Sequence, residues 1–378
     1  MEHDTSVGAR FSLSRDNFIL DPIADYPCFA RHDINTRDIA ESLDIDVVTG
    51  LAPKRLLWGP YGGGKTHTLM RTVDELAHLA SIHAVRIECP DLTKKSRFHD
   101  LYREGIMRGL GQDFVLGLMQ EVTQRVGFKR PEELRAELKN WFKDEEVAKA
   151  AERLYDPNFD RLKLWRWLSG IPMSRGELDQ LGQTQDLTQT EAARLAEIIV
   201  MIGRLLRSLR DNTLVLILDE MERLRLISAE TIITFMSGFT RLVDQNQTSV
   251  CVLIGSSAVT QAEMVDIFAG VSPVASRLGT DAYKEIPALL DPDVDDFIAG
   301  VIAFVRQPGL NVTAVIANVD SRGETIEERF FPFTTEAVEA IKSKTRTLTP
   351  RDITIQMTRA LGRAHRKAFS VITSECVG

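Results

Sequence analysis

Eight consecutive residues, Gly59-Pro60-Tyr61-Gly62-Gly63-Gly64-Lys65-Thr66, constrain this chain more than any other feature. They fit G-x-x-x-x-G-K-[ST] at every required position. The context fits as well: Leu56-Leu57-Trp58 before them reads as a strand, and 68–79 after them reads as a helix. Glycine permits the backbone angles that turn successive N–H groups into one anion-binding hollow, and the helix N-terminus adds its partial positive charge. Lys65 is placed to reach the β and γ phosphates of a bound nucleotide, and the Thr66 hydroxyl to ligate Mg²⁺. The residues assigned to nucleotide contact are therefore Gly59, Pro60, Tyr61, Gly62, Gly63, Gly64, Lys65, Thr66 and the following His67.

A second run, Leu214-Val215-Leu216-Ile217-Leu218, is apolar throughout, as a central strand buried on both faces requires. It ends in Asp219-Glu220, at the carboxyl edge where α/β sheets bind ligands. Asp219 is suited to hold Mg²⁺ through water, and Glu220 to polarise an attacking water as general base. An ordinary strand running into a polar loop reads the same locally; the glycine-rich loop upstream favours the catalytic reading.

Around these two landmarks the chain divides into three zones. Residues 1–53 are mixed, with a short helix expected at 36–43. Residues 54–290 carry apolar runs at 55–58, 83–88, 214–218, 250–254 and 282–286, separated by helical stretches, which predicts an α/β architecture with a parallel sheet. Within this zone 95–210 is helical in pattern and closes with an apolar helix at 195–209. Its Trp165 and Trp167, at helical spacing, read as core rather than as an aromatic binding surface. Residues 291–378 read as helices opening at Asp291-Pro292, Thr334-Thr335-Glu336 and Thr349-Pro350. At 378 residues, with 44 % hydrophobic and 26 % charged residues, the composition is that of a soluble globular protein. The formal charge of −8 argues against a protein that coats nucleic acid by charge alone and leaves room for a local basic patch. The four cysteines form no C-x-x-C pair and read as reduced thiols. The start, Met-Glu-His-Asp, lacks a signal-peptide pattern, and no apolar stretch approaches the ~18 residues of a membrane span, so a cytoplasmic protein is expected.

Taken together these residues resemble the AAA+ ATPases, with the loop as Walker A and Asp219-Glu220 as Walker B. The resemblance implies a five-stranded parallel sheet in the order 5-1-4-3-2, a helical lid at 291–378, and an ATPase that uses ATP and Mg²⁺. It implies homo-oligomers formed through the ATP interface. It assigns sensor 1 to Ser256 or Ser257 after the fourth strand, although a strand running into a Gly-Ser turn accounts for them equally. It makes Arg277, in Ser276-Arg277-Leu278, the arginine finger, with a solvated surface arginine as the alternative. Arg351, opening the third lid helix, looks like sensor 2 of the origin-recognition initiator-like branch. The stretch Phe29-Ala30-Arg31-His32-Asp33-Ile34, with Ile39 and Leu43, resembles the segment that lines the adenine pocket.

The chain departs from that pattern in two ways. Lys65 and Asp219 lie 154 positions apart, far more than the family usually spends, so 95–210 is mostly a helical insertion and the expected surface for a protein partner. A winged-helix domain after the lid is not in evidence, so DNA binding through it is not carried over. Local candidates for DNA contact are Lys94, Lys95, Arg97, Lys129 and Arg130, which a solvated face explains as well. The insertion's Leu164-Trp165-Arg166-Trp167-Leu168-Ser169-Gly170, and the later Asp219-Glu220-Met221-Glu222, resemble the ATP-binding proteins of phage-defence (BREX-type) islands. Two functional readings follow: an ATP-hydrolysing oligomeric switch or remodeller, and a non-catalytic, ATP-dependent assembly module that recruits a nuclease or transposition protein.

Overall fold

The five apolar runs lie side by side as one parallel sheet in the order β2-β3-β4-β1-β5, the order the resemblance implies. The computed structural model describes residues 6–79, 82–127, 129–244, 248–269 and 282–378. The strands are β1 (Lys54–Gly59), β2 (Ile82–Glu88), β3 (Thr213–Asp219), β4 (Val250–Ser257) and β5 (Tyr283–Glu285). The helices used below are, in chain order, α1 (Thr36–Val48), α2 (Lys65–Leu79), α3 (Gln112–Val126), α4 (Pro131–Phe142), α5 (Glu145–Ala151), α6 (Arg161–Leu168), α7 (Arg175–Leu181), α8 (Ala192–Arg210), α9 (Ala229–Leu242), α10 (Gln261–Ala269), α11 (Asp291–Val305), α12 (Thr335–Lys344) and α13 (Pro350–Arg366).

Every residue of β3 is buried, which its unbroken apolar run required. β2 pairs with it in register from Ile82↔Thr213 to Glu88↔Asp219, and β4 pairs on its other side from Leu214↔Val250 to Leu218↔Ile254. Asp219 therefore stands at the carboxyl end of a strand flanked on both sides. β5 is shorter than the run 282–286 suggests, and α1 extends past 43 to Val48. The extra turn of α1 includes Val47, whose burial outweighs the poor helix propensity of its β-branched neighbours. Helix starts follow ordinary capping: the Ser228 and Thr349 hydroxyls accept from the N–H groups of Thr231 and Asp352.

The chain packs as two units. One comprises Met1–Asp38, Gly59–Thr72 and Glu285–Gly378; the other comprises Ile39–Trp58 and Val73–Lys284. In the first, the C-terminal helices α11, α12 and α13 share a core with the N-terminal segment. Phe18 is fully buried, its ring 5.3 Å from that of Phe333, and its N–H donates to Thr358 Oγ1 at 3.0 Å.

In the second unit α8 packs against α3, α9, β3 and β4 and carries much of the core. Trp167 is fully buried as expected, its indole N–H donating to the Gln185 carbonyl at 3.2 Å. The Trp-Leu-Ser-Gly stretch docks the end of α6 on the segment before α3. There Tyr102 donates its hydroxyl to the Leu168 carbonyl, and a Cβ at Gly170 (φ +71°) would come within 3.1 Å of His99 Nε2. The four cysteines are buried, and burial pushes the thiols of Cys28, Cys89 and Cys251 up to about 12, so they stay protonated. Among the described residues no helix is long and apolar enough to cross a membrane.

Candidate functional site

The phosphate loop belongs to the first unit. β1 ends at Gly59 and α2 begins at Lys65, so five residues make the turn from strand to helix. The Gly63 N–H donates to the Pro60 carbonyl at 3.0 Å and tightens that turn. Gly62 has φ +77°, and a Cβ there would stand 2.8 Å from Arg351 Cβ; only glycine meets both demands. Lys65 is 8 % exposed, and its ammonium donates to the carbonyls of Gly59 at 3.2 Å and Pro60 at 2.9 Å. Thr66 is half-buried in the first turn of α2. The His67 ring turns elsewhere: Nε2 donates to the Asp25 carbonyl at 3.1 Å, and burial holds the imidazole below its ordinary pKa, hence neutral at pH 7. Asp25 is itself gripped by Arg15 through two bonds of 2.8 and 2.9 Å.

Two arginines from distant parts of the chain meet this loop. Arg31, 2 % exposed, forms a fork on Asp33 at 2.8 and 2.6 Å and donates to the carbonyls of Gly63 and, at 3.0 Å, Pro287. Its segment was read only as an adenine-pocket lining; that it anchors the phosphate loop had no local signal. Arg351, at the start of α13, is the second. Its N–H faces the Gly62 carbonyl at 3.3 Å, and its guanidinium donates to the Tyr61 hydroxyl and lies 4.7 Å from that ring's centre.

The acidic strand end belongs to the second unit. Asp219 is 2 % exposed; one carboxylate oxygen accepts from the Glu220 N–H at 3.0 Å and the other lies 3.4 Å from an Arg86 nitrogen. Glu220 has φ 58° and ψ 34°, a left-handed conformation that costs a non-glycine residue of order 1 kcal/mol and recurs at functional turns. Its carboxylate pairs with Arg223. Burial pushes the Glu220 carboxyl above its usual range; Arg223 opposes this, and Glu88, Asp219 and Glu222 reinforce it. Glu222 accepts from the Ser257 N–H at 2.9 Å and so ties the end of β3 to the end of β4. Ser256 is fully buried and its hydroxyl has no partner among the described residues, whereas Ser257 is partly exposed. Arg86 and Glu222 were not singled out for these roles; the Asp-Glu-x-Glu spacing signalled Glu222, while Arg86 becomes visible only through the β2–β3 register.

Taken unit by unit, these residues offer donors of the kinds a magnesium nucleotide takes. Loop glycine, buried ammonium and helix start suit phosphate oxygens. Among the described residues no group of three or more His, Cys, Asp or Glu side chains is arranged to hold a metal alone. The Thr66 hydroxyl in the first unit and the Asp219 carboxylate in the second are each an oxygen donor of the kind Mg²⁺ takes. The orphaned Ser256 hydroxyl is a buried polar group in need of a partner. Arg277 lies in 270–281, outside the described residues. Lys94, Lys95, Arg97 and Arg130 are exposed, and Lys129 pairs with Glu137.

No protein-family model matches the chain, and no curated protein does. Solved structures share similarity with it. A structure of Drosophila ORC bound to DNA matches over 100 % of this chain and 65 % of that one, at 13 % identity and a TM-score of 0.47. Cdc6p from Pyrobaculum aerophilum matches over 92 % of this chain and 66 % of that one, at 13 % identity and 0.46. The Aeropyrum pernix ORC2 protein, in ADPNP–ADP complexes, matches over 90 % and 65 %, at 13 % identity and 0.45. The chain thus spans a little under two thirds of the length of these solved chains, and at such identities and scores the likeness says nothing about activity.

Proposed function

We propose that this chain binds ATP and hydrolyses it, as an AAA+-type switch that works in an oligomer of its own copies. The observation that carries this reading is the phosphate loop: a glycine at φ +77° between a buried strand and a helix start, with a lysine ammonium folded into the turn. Lys65 exchanges its two carbonyl acceptors for phosphate oxygens, which an ammonium prefers as charged partners. Thr66 and Asp219 hold the metal, Ser256 offers its orphaned hydroxyl to the phosphate side of the site, and Glu220 takes the proton of the attacking water. A bound Mg²⁺ supplies charge neutralisation on the phosphates. Arg351 releases Tyr61 to meet the nucleotide of its own subunit, and Arg277 acts on that of a neighbour.

Glu220→Gln is the test. General-base removal lowers turnover about 10²- to 10⁴-fold, while nucleotide binding survives. Phosphate release no greater in the wild type than in Glu220→Gln, across protein concentrations, would falsify the enzyme reading. One observation favours the second reading, nucleotide-dependent assembly without turnover: the Glu220 carboxylate is already occupied by Arg223. Under that reading ATP changes the particle size in mass photometry and phosphate release stays at background. The wider setting we propose is phage defence, on the strength of the Trp-Leu-Ser-Gly and Asp-Glu-Met-Glu stretches; loss of protection in cells carrying Lys65→Ala is the corresponding assay. Contact of the helical insertion with a protein partner belongs to the same proposal.

A further inference from the structure

Far along the chain from the phosphate loop, three cations meet where the helical insertion packs against α9. A cleft of about 250 Å³ lies among the end of α4, α8 and α9, and Lys143, Arg204 and Arg241 all line it. Arg204 sits in mid-helix, partly buried, and among the described residues makes no hydrogen bond or ion pair; its Nε is enclosed and without a partner there. The Nε of Arg241 is likewise enclosed and without a hydrogen bond, but this guanidinium faces two acids, Glu197 at 3.4 Å and Asp244 at 3.7 Å. Of the two acids on the cleft, Asp144 is committed elsewhere, accepting from the Val147 N–H at 2.9 Å and facing Arg194 at 3.5 Å. Glu197 and Asp244 thus share Arg241, and Arg204 is the cation of the cleft left without a partner of its own among the described residues. Lys143 stands at the end of α4 with φ 56° and ψ 13°, a left-handed position where glycine is the ordinary occupant. A desolvated guanidinium with empty donors is costly, and an oxyanion would satisfy it.

The adjoining cleft of about 300 Å³ shares Lys143 and Arg204 and adds Trp141, Asn140 and Ser208. An indole wall beside a cationic pocket, with an amide and a hydroxyl at hand, suits a base next to its phosphate. We propose that this double cleft binds a nucleotide phosphate, free or within a single strand of nucleic acid, with Lys143, Arg204 and Arg241 on the phosphate and Trp141 against the base. The site is independent of the ATP reading. It also gives a chain of charge −8 a defined place to meet a polyanion.

The test uses the full chain and a fluorescent single-stranded oligothymidylate of about ten nucleotides, within the usual footprint for such sites. Anisotropy is followed at several salt concentrations, with thymidine monophosphate as competitor. Wild type and Lys65→Ala bind alike. Arg204→Gln and Lys143→Gly each bind about tenfold more weakly, the loss expected for one charged contact, with a salt slope shallower by about one. Lys143→Gly places glycine where the backbone favours it, so its melting temperature is not lowered and its weaker binding does not report unfolding. Competition by the mononucleotide identifies a free nucleotide as sufficient; binding of the strand without such competition identifies the strand. The proposal is overturned if neither probe binds the wild type, if Arg204→Gln and Lys143→Gly bind as the wild type does, or if Lys65→Ala abolishes the signal.

Discussion

The phosphate loop and the acidic strand end are held by different forces. Around the loop the acceptors are neutral carbonyls, those of Gly59, Pro60, Gly62 and Gly63, met by Lys65, Arg31 and the backbone of Arg351. Its shape is set by backbone angles and by close approach. At the strand end the acceptors are carboxylates: Asp219 faces Arg86, and Glu220 faces Arg223. Its arrangement is set by charge. A change at the loop should therefore act through fit and be insensitive to pH, whereas a change at the strand end should move a titration.

The largest effect is expected at Arg31. Its side chain is 3 % exposed and holds that of Asp33, which is 15 % exposed on a residue exposed overall. Arg31→Ala leaves the carbonyls of Gly63 and Pro287 without donors and Asp33 without its partner, which costs about 2–4 kcal/mol. The urea midpoint reads this loss, and Arg31→Lys should fall between because it keeps the charge without the fork. An unchanged midpoint in Arg31→Ala would mean that the loop holds its shape unaided. Next comes Gly62→Ala. Its Cβ would meet Arg351 Cβ at 2.8 Å in a left-handed backbone, a strain of about 1–3 kcal/mol. Nucleotide affinity should fall roughly tenfold to a hundredfold, by the same factor at pH 6 and pH 8. A factor that changes with pH would break the contrast drawn above.

Both landmarks could be read from the sequence because each is continuous in it. Strand, loop and helix start occupy 54–66, and β3 runs directly into its two acids. Three C-terminal helices announced themselves through Asp291-Pro292, the Thr334 cap and Thr349-Pro350. What could not be read joins residues far apart. Arg31 reaches Gly63, and Arg351 reaches Tyr61 across 290 positions. Phe18 enters the core of the C-terminal helices, a placement its mixed local sequence does not advertise. His67 sits next to the motif, yet its ring is bound to Asp25 by a contact that no spacing rule encodes. Sequence placed Ser256 and Ser257 on equal terms; burial separates them, since strand alternation encloses one hydroxyl and leaves the other residue partly exposed.

At the strand end, Arg223→Met should shift the pH–rate profile. Glu220 must be ionised to act as base, and burial already holds its carboxyl above the ordinary range. Arg223 is the influence that lowers it, so its removal leaves burial and the nearby acids unopposed and raises the pKa further. The acid limb of kcat should move to higher pH while the rate well above it is retained or raised, because the base is freed from its ion pair. In stability the sign follows the same shift: the raised pKa favours the protonated folded state, so this contribution is present at low pH and lost as pH rises through the folded value. An acid limb that stays in place would show that Glu220 is not the titrating base.

The smallest effect is expected at Tyr61, where the two kinds of force meet on one side chain. Arg351 donates to its hydroxyl and also lies over its ring, 4.7 Å from the centre, and the tyrosine is 68 % exposed. Tyr61→Phe removes only the hydrogen bond, a solvent-exposed contact worth about 0.5–1 kcal/mol. Tyr61→Ala removes the ring contact as well, a further 0.5–1 kcal/mol at an exposed site. If Arg351 must leave Tyr61 to reach a nucleotide, weakening its resting place should strengthen nucleotide binding, by up to about fivefold for phenylalanine and more for alanine. Affinity that instead falls in both variants would identify the Tyr61–Arg351 contact as part of the bound state rather than as the position Arg351 leaves.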